Sequence, residues 1–112
     1  MKFNIFKYKI VQSTNKTAIR KINSGYENGI IISEKQSNGK GRYGRKWISA
    51  KGNLFTSIFF KINKNFSLRK VTSLNCNIIK LCLEKIVKKK IIIKPPNDML
   101  IKSRKLCGIL QE

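Results

Sequence analysis

The sequence predicts an α+β fold in which a mixed β-sheet is flanked by helices. Three observations predict it. The chain has 112 residues, which is enough for one domain. Hydrophobic residues make up 41% of it, which is enough to build a core. Short β-prone runs alternate along the chain with two helical patterns, and we expect most of these strands to lie in one sheet.

The first half of the chain predicts two strands around a capped helix. Residues 6–11 have strand character, and Ser13 and Thr14 are good caps for a helix that runs to about Asn23. Three consecutive isoleucines make residues 29–36 a buried strand. Residues 37–51 are rich in Gly and basic residues and are predicted to be a long loop, and residues 53–62 are again β-prone.

The second half predicts a long helix followed by short strands. Ser67 precedes an apolar helical pattern from Leu68 to about Lys88. Residues 91–93 form a buried strand that Pro95 and Pro96 end. Residues 99–101 and 106–111 are predicted to be the arms of a hairpin that turns at residues 103–104. The predicted inner face of the helix consists of Val71, Leu74, Ile78, Cys82 and Ile86.

The end of the sequence predicts a truncated domain. Residues 108–112 have the character of a strand, and the sequence stops within it. A final strand without a neighbour leaves an open sheet edge. We therefore expect residues 1–112 to be the N-terminal part of a larger domain.

Charge is the most unusual property of the chain, with 25 Lys and Arg against 5 acids and a net charge of +20. Such a balance suggests nucleic-acid binding. However, Lys, Ile and Asn, which share A- and T-rich codons, supply 49 of the 112 residues, and the lysines are scattered. We therefore expect no specific nucleic-acid partner. The sequence contains no apolar run long enough to span a membrane, so we expect a cytoplasmic protein without a membrane partner.

The missing residue types exclude several chemistries. The chain has no His, so Ser-His-Asp and Cys-His nucleophile systems are excluded. The five acids form no close pair, which argues against a two-carboxylate glycosidase. Cys76, Cys82 and Cys107 form no C-x-x-C motif and lie among apolar residues, so we expect buried thiols and no protein-built metal site.

A basic glycine loop is the first candidate site. Residues 39–44 fit G-x-G-x-x-G, but no helix follows and no acid lies between Glu34 and Glu84, so a dinucleotide-binding motif is not indicated. The loop also lacks the Gly-Lys-Ser/Thr ending of a P-loop. Its glycines and bases suit a phosphate or another anion, and a solvated basic loop is the alternative.

Two further clusters follow in the second half. Residues 94–98 place Asn97 and Asp98 after two prolines, where either a ligand site or an ordinary turn is possible. Lys105 begins a predicted strand, from which it either points across the sheet or lies exposed in the hairpin.

Taken in order, these pieces resemble the catalytic domain of biotin–protein ligases, from about residue 8 to the last residue. The basic glycine loop with its Trp is the most specific part. The matching segments are Ser13-Thr14-Asn15, Gln36-x-x-Gly39-x-Gly41-Arg42-x-Gly44-Arg45-x-Trp47, Gly52-Asn53-Leu54-Phe55-x-Ser57, Lys94-x-Pro96-Asn97-Asp98 and Lys105-x-x-Gly108-Ile109-Leu110-x-Glu112.

The resemblance implies a fold akin to class II aminoacyl-tRNA synthetases and an adenylating ligase. Biotin and ATP would give biotinyl-5′-AMP, and a lysine of a biotin carboxyl carrier protein of acetyl-CoA carboxylase would then take the biotinyl group. The resemblance implies Mg²⁺ bound through ATP, near Asp98. No helix-turn-helix DNA-binding domain and no C-terminal β-domain are expected in these residues.

The resemblance also implies roles for individual residues. Lys105 and Arg42 would be catalytic, Lys105 at the biotin carboxylate and α-phosphate and Arg42 at the phosphate. The residues that would bind biotin are Ser13, Thr14, Asn15, Gln36, Gly39, Lys40, Gly41, Arg42 and Lys105. Those that would bind ATP are Arg42, Arg45, Trp47, Asn97 and Asp98.

Two positions depart from the family pattern. Lys40 stands where the family usually has Arg, which keeps the charge and loses bidentate geometry. Pro95 replaces the usual Trp, so packing under that turn differs. Three alternatives remain open: a lipoate–protein ligase, an inactive ligase fragment, and a basic binding protein that has lost ligase activity.

Overall fold

The computed structural model describes residues 2–63 and 65–112. The chain divides into two compact units, of which the first ends at Ile62 and the second begins at Asn63. Each unit contains strands and one α-helix, which confirms the predicted α+β class. The described strands form three sheets rather than mostly one, because each unit builds a sheet over its own core and the basic loop contributes a small third sheet.

The first unit is built on a three-stranded mixed sheet in the order β1-β2-β5. Strands β1 (Ile5–Val11) and β2 (Asn28–Gln36) are parallel and are connected through helix α1 (Thr14–Asn23). Strand β5 (Phe55–Phe60) pairs antiparallel with β2. A buried core of Ala18, Ile31 and Phe59 lies between the sheet and α1.

The predicted loop at residues 37–51 contains a short hairpin. Strands β3 (Gly39–Lys40) and β4 (Lys46–Trp47) pair antiparallel on either side of a 3₁₀ turn at Arg42–Gly44. Tyr43 and Gly44 have φ of 59° and 70°, so two successive left-handed residues reverse the chain. Strands of two residues are too short to show an alternating pattern, which is why the sequence predicted only a loop.

The second unit packs helix α2 (Leu68–Val87) beside a three-stranded antiparallel sheet. Its strands are β6 (Ile92–Lys94), β7 (Asp98–Ile101) and β8 (Arg104–Gly108), and its core centres on Cys76, Ile91 and Met99. The predicted hairpin is present, but its turn lies at Lys102 and Ser103. Both residues have positive φ, as a two-residue type I′ turn requires.

Serine caps start both helices where the sequence predicted. Ser13 Oγ accepts a hydrogen bond from the Lys16 amide at 3.3 Å, and Ser67 Oγ accepts one from the Lys70 amide at 3.2 Å. Each cap satisfies one of the amides that the first turn of a helix leaves without a partner.

The predicted inner face of α2 is wrong except at Val71. Leu74, Ile78, Cys82 and Ile86 are exposed, with Ile86 at 75%. The face that packs on the core instead consists of Cys76, Ile79, Leu83 and Val87. Both sets recur at helical spacing, so periodicity alone does not decide between them.

Two smaller predictions also need correction. Strand β8 ends at Gly108, and residues 109–112 are not in a strand, although the Ile109 amide still donates to the Asn97 carbonyl at 2.9 Å. Cys76 is buried and Cys107 is half-buried, but Cys82 is exposed. Cys82 lies on the outer side of α2, which the core of the second unit does not cover. Neither helix in the described part of the chain is long and apolar enough to cross a membrane.

Candidate functional site

Gln36, at the end of β2, is hydrogen-bonded to the start of α1. Its Oε1 accepts a hydrogen bond from the Thr14 amide at 2.8 Å and one from the Thr14 hydroxyl at 3.2 Å. The Thr14 amide lies in the first helical turn and has no partner within α1. Gln36 therefore acts as a second helix cap beside Ser13, and both acceptor positions of its side-chain oxygen are used.

Ser57, on the neighbouring strand β5, also belongs to this cluster. Its hydroxyl lies 2.8 Å from Thr14 Oγ1 and also contacts Asn15 Oδ1 at hydrogen-bonding distance. The hydroxyl has one proton, so it donates to one of these oxygens at a time. Ser57 and Thr14 are 8% and 6% exposed, and burial makes the loss of a partner costly.

Ser49 connects the same cluster to the basic hairpin. Gln36 Nε2 donates to Ser49 Oγ at 3.0 Å, and Ser49 Oγ donates to the Trp47 carbonyl at 3.2 Å. Gly39, the register partner of Trp47, is buried beside these groups. The result is a hydrogen-bonded group of neutral side chains that joins α1, β2, β5 and the hairpin.

The hairpin itself presents positive charge. Lys40, Arg45 and Lys46 are exposed on it, and Arg42 is half-buried. The Arg42 guanidinium lies 4.7 Å from the centre of the Tyr43 ring, and its Nη2 donates to the Tyr43 hydroxyl at 2.7 Å. Because the Tyr43 ring is exposed and uses only part of the guanidinium's donors, Arg42 can still pair with an anion.

The second unit holds the remaining predicted residues. Lys105 Nζ forms an ion pair with Asp98 Oδ1 at 3.0 Å, and the two side chains are 42% and 25% exposed. Asn97 donates through Nδ2 to the Ile109 carbonyl at 2.9 Å and accepts from the Ile109 amide, so it fastens the segment after β8 to the start of β7. Lys105 and Asp98 are thus brought together, while Asn97 has a structural contact.

The thiols near this ion pair are poor nucleophiles. Burial raises the pKa of Cys107, and the neighbouring Cys76 and Asp98 raise it further, against a smaller opposite effect of Lys105. Burial and Asp98 also raise the pKa of Cys76. A raised pKa leaves little thiolate at neutral pH, so neither thiol is suited to nucleophilic catalysis.

Carboxylate, thiol and imidazole side chains are the usual protein ligands of metal ions. In residues 2–63 and 65–112, no three carboxylate, thiol or imidazole side chains come together in a cluster that could hold a metal ion. Asp98 offers a single carboxylate. That fits Mg²⁺ held mainly by the phosphates of a nucleotide, because Mg²⁺ commonly takes one or two carboxylates together with substrate phosphates.

Sequence reasoning left Ser57 and Ser49 without a role. The alternating pattern of β5 could have indicated Ser57. Phe55, Ser57 and Phe59 occupy the buried face of this strand, and a polar residue there needs a hydrogen-bond partner. Ser49 has no such signal, because its contact with Gln36 depends on the reversal of the chain in the hairpin.

Family models and known proteins agree on the affiliation of the chain. Residues 8–112 match the model of the Biotin/lipoate A/B protein ligase family, and the chain belongs to that family. It is 35% identical over 105 residues to the bifunctional ligase/repressor BirA of Escherichia coli, covering 92% of this chain and 33% of BirA. BirA of Bacillus subtilis is 32% identical over 108 residues, with the same two coverages.

Solved structures show the same fold. The biotin protein ligase from Aquifex aeolicus, in complex with biotin and ATP, has a TM-score of 0.82 and 32% identity, over 97% of this chain and 46% of that one. The biotin acetyl coenzyme A carboxylase synthetase from Helicobacter pylori, with bound biotinylated ATP, also has a TM-score of 0.82, at 21% identity, over 97% of this chain and 54% of that one. The chain therefore spans about a third of the curated relatives and about half of these structures.

Proposed function

We propose that this chain is the N-terminal part of a biotin–protein ligase catalytic domain, which activates biotin with ATP to biotinyl-5′-AMP. The biotinyl group would then pass to a lysine of a biotin carboxyl carrier protein. The neutral cluster of Thr14, Asn15, Gln36 and Ser57, in which Thr14 and Ser57 are buried and the other two partly buried, is the observation that carries the proposal.

The chemistry of this cluster favours biotin over lipoate. The head of biotin is a cyclic urea with two N–H donors and a carbonyl, whereas the dithiolane ring of lipoate has neither. The groups of this cluster already pair with one another, but a hydroxyl oxygen has two acceptor positions, so Thr14 Oγ1 can accept from a ligand N–H beside the bond from Ser57. A ligand with N–H donors gains such bonds and an analogue without them does not, which supports discrimination between the two acids.

The positive charges suit the activation step. The nucleophile is the carboxylate of biotin, which is ionised at neutral pH, so the absence of His is no obstacle. The reaction needs charge against the α-phosphate and correct orientation. Two unit charges 4 Å apart interact by about 4 kcal/mol at an effective dielectric constant near 20. We assign this role to Lys105 and Arg42.

Asp98 would position Lys105 before substrate binds. Its carboxylate lies 3.0 Å from the Lys105 ammonium, and the partial exposure of both groups leaves Lys105 accessible to an anion that would replace Asp98 as its partner. Asp98 would also be the one protein ligand offered to Mg²⁺, whose contribution is to neutralise phosphate charge. Arg45 and Trp47 would lie on the nucleotide side of the hairpin, with the Trp47 ring packed at the adenine.

Adenylate formation tests the proposal. The purified chain is incubated with biotin, Mg²⁺ and ATP labelled at the α-phosphate, together with Lys105→Ala and the control Lys102→Ala, which removes an exposed lysine from the turn of the same hairpin. We expect labelled biotinyl-AMP from the unmodified chain and the control, and none from Lys105→Ala with unchanged circular dichroism.

Two results would count against the proposal. Adenylate formed at an unchanged rate by Lys105→Ala would remove Lys105 from its role. A folded, unmodified chain that forms no adenylate would show that these residues do not suffice for the first step.

A further inference from the structure

Gln36 is held in one of its two possible amide orientations. Its oxygen receives two hydrogen bonds from Thr14, and its nitrogen donates to Ser49. A rotation of the amide by half a turn would place its N–H groups against the Thr14 amide, donor against donor. The hydroxyl proton of Ser49 goes to the Trp47 carbonyl, which leaves the Ser49 oxygen as the acceptor that Gln36 needs.

The glycine at position 39 is an independent sign that this arrangement is built into the chain. A Cβ at Gly39 would lie 2.6 Å from Ser49 Oγ, 2.7 Å from the Trp47 carbonyl oxygen and 2.9 Å from Gln36 Nε2. These are the three groups of the Gln36–Ser49–Trp47 chain of hydrogen bonds. The absence of a side chain at position 39 therefore makes the room that these groups occupy.

We propose that Ser49 is a positioning residue for the ligand head group, acting through Gln36. The inference rests on the proposed function, because it names a residue that orders the biotin site without touching biotin. Ser49 holds the nitrogen of the Gln36 amide, and Gln36 Oε1 accepts a hydrogen bond from the Thr14 hydroxyl. With that proton committed, the Thr14 oxygen offers acceptor capacity only, and this matches the N–H donors of a cyclic urea.

Without Ser49 the oxygen of the Gln36 amide keeps the Thr14 amide as its partner, but the nitrogen loses its acceptor, so the amide is held on one side only. The position of the acceptor for the Thr14 hydroxyl is then less well fixed, and the ligand must order both side chains when it binds. The free energy needed to order these side chains weakens biotin binding, although no contact between Ser49 and biotin is lost.

The test compares Ser49→Ala with Ser37→Ala, which makes the same chemical change at an exposed position next to Gln36. The side-chain amide resonances of Gln36 are followed by NMR, and biotin affinity is measured by calorimetry on the full chain. We expect Ser49→Ala to shift the Gln36 signals, to speed exchange of its amide protons and to weaken biotin about tenfold, which corresponds to about 1.4 kcal/mol. We expect Ser37→Ala to match the unmodified chain in both measurements.

Each other outcome has a defined meaning. Unchanged Gln36 signals in Ser49→Ala would show that Ser49 does not hold the Gln36 amide. Shifted signals with unchanged biotin affinity would overturn the positioning role and leave the Gln36–Ser49 hydrogen bond as a structural contact. An unmodified chain that binds no biotin would refute the proposed function, while the Gln36 signals would still decide whether Ser49 orients the amide. Urea unfolding of each variant separates these effects from a loss of folding.

Discussion

Replacement of Gly39 by alanine tests how tightly the hairpin packs on the candidate site. The added Cβ would lie 2.6 to 2.9 Å from three polar groups, far inside an ordinary contact. The Trp47 carbonyl belongs to the backbone that pairs with Gly39 and moves only if the small sheet opens. Overpacking of this kind costs about 1–3 kcal/mol, and each hydrogen bond lost from Ser49 adds about 1 kcal/mol. Alanine also lowers the conformational entropy of the unfolded chain, which offsets about 0.4–1 kcal/mol of this loss of stability.

We therefore expect Gly39→Ala to lower the free energy of unfolding by about 2–3 kcal/mol. Gly41→Ala is the matched control, because its Cβ would meet nothing closer than 3.7 Å and its φ of −101° suits any residue. Urea unfolding followed by the fluorescence of Trp47, the single Trp of the chain, reports directly on the hairpin. The midpoint of Gly39→Ala should fall by about 1–2 M relative to Gly41→Ala. Equal midpoints would show that the packing around Gly39 is loose.

Three further predictions follow from charge and exposure. Arg42→Gly should release biotinyl-AMP and so biotinylate lysines of an added bystander protein; an intermediate held as tightly as in the unmodified chain would show that Arg42 does not contact the phosphate. Mass-spectrometric mapping after brief alkylation at neutral pH should find Cys82 labelled before Cys107, because Cys82 is exposed and burial raises the pKa of Cys107; the reverse order would contradict this. The hydrogen bond from Lys61, at 2.5 Å, lowers the pKa of Glu27, so its stabilising effect is present at neutral pH and is lost as the pH falls through that lowered pKa. An NMR titration of Lys61→Ala should therefore show a higher pKa for Glu27, and an unchanged midpoint would refute the pairing.

The sequence predicts most local features because their causes are local. Ser13 and Ser67 cap their helices wherever the chain goes next, and a hairpin between β7 and β8 follows from two β-prone runs with a short connection. Tertiary packing decides the rest. Helix α2 carries two apolar stripes of similar spacing, and the core selects the one that contains Ile79 and Leu83.

In the candidate site, too, some contacts could be expected from the sequence and others depend on the tertiary structure. Resemblance points to Thr14, Asn15 and Gln36, and the structure connects them, because Gln36 bonds to Thr14 and Ser57 contacts both Thr14 and Asn15. Ser49 could not be placed from the sequence, since it reaches Gln36 across thirteen residues through a reversal that depends on two left-handed residues. Contacts of this kind appear only once the backbone path is known.

Calorimetric titration of the unmodified chain with biotin and, separately, with lipoate tests the central claim most directly. Biotin should bind saturably at one site, and lipoate should give no saturable heat at the same concentrations, because only the cyclic urea offers N–H donors and a carbonyl to the hydroxyl and amide groups around Thr14. No binding of biotin, or equal binding of the two acids, by a chain shown to be folded would contradict the assignment of this cluster as a biotin site.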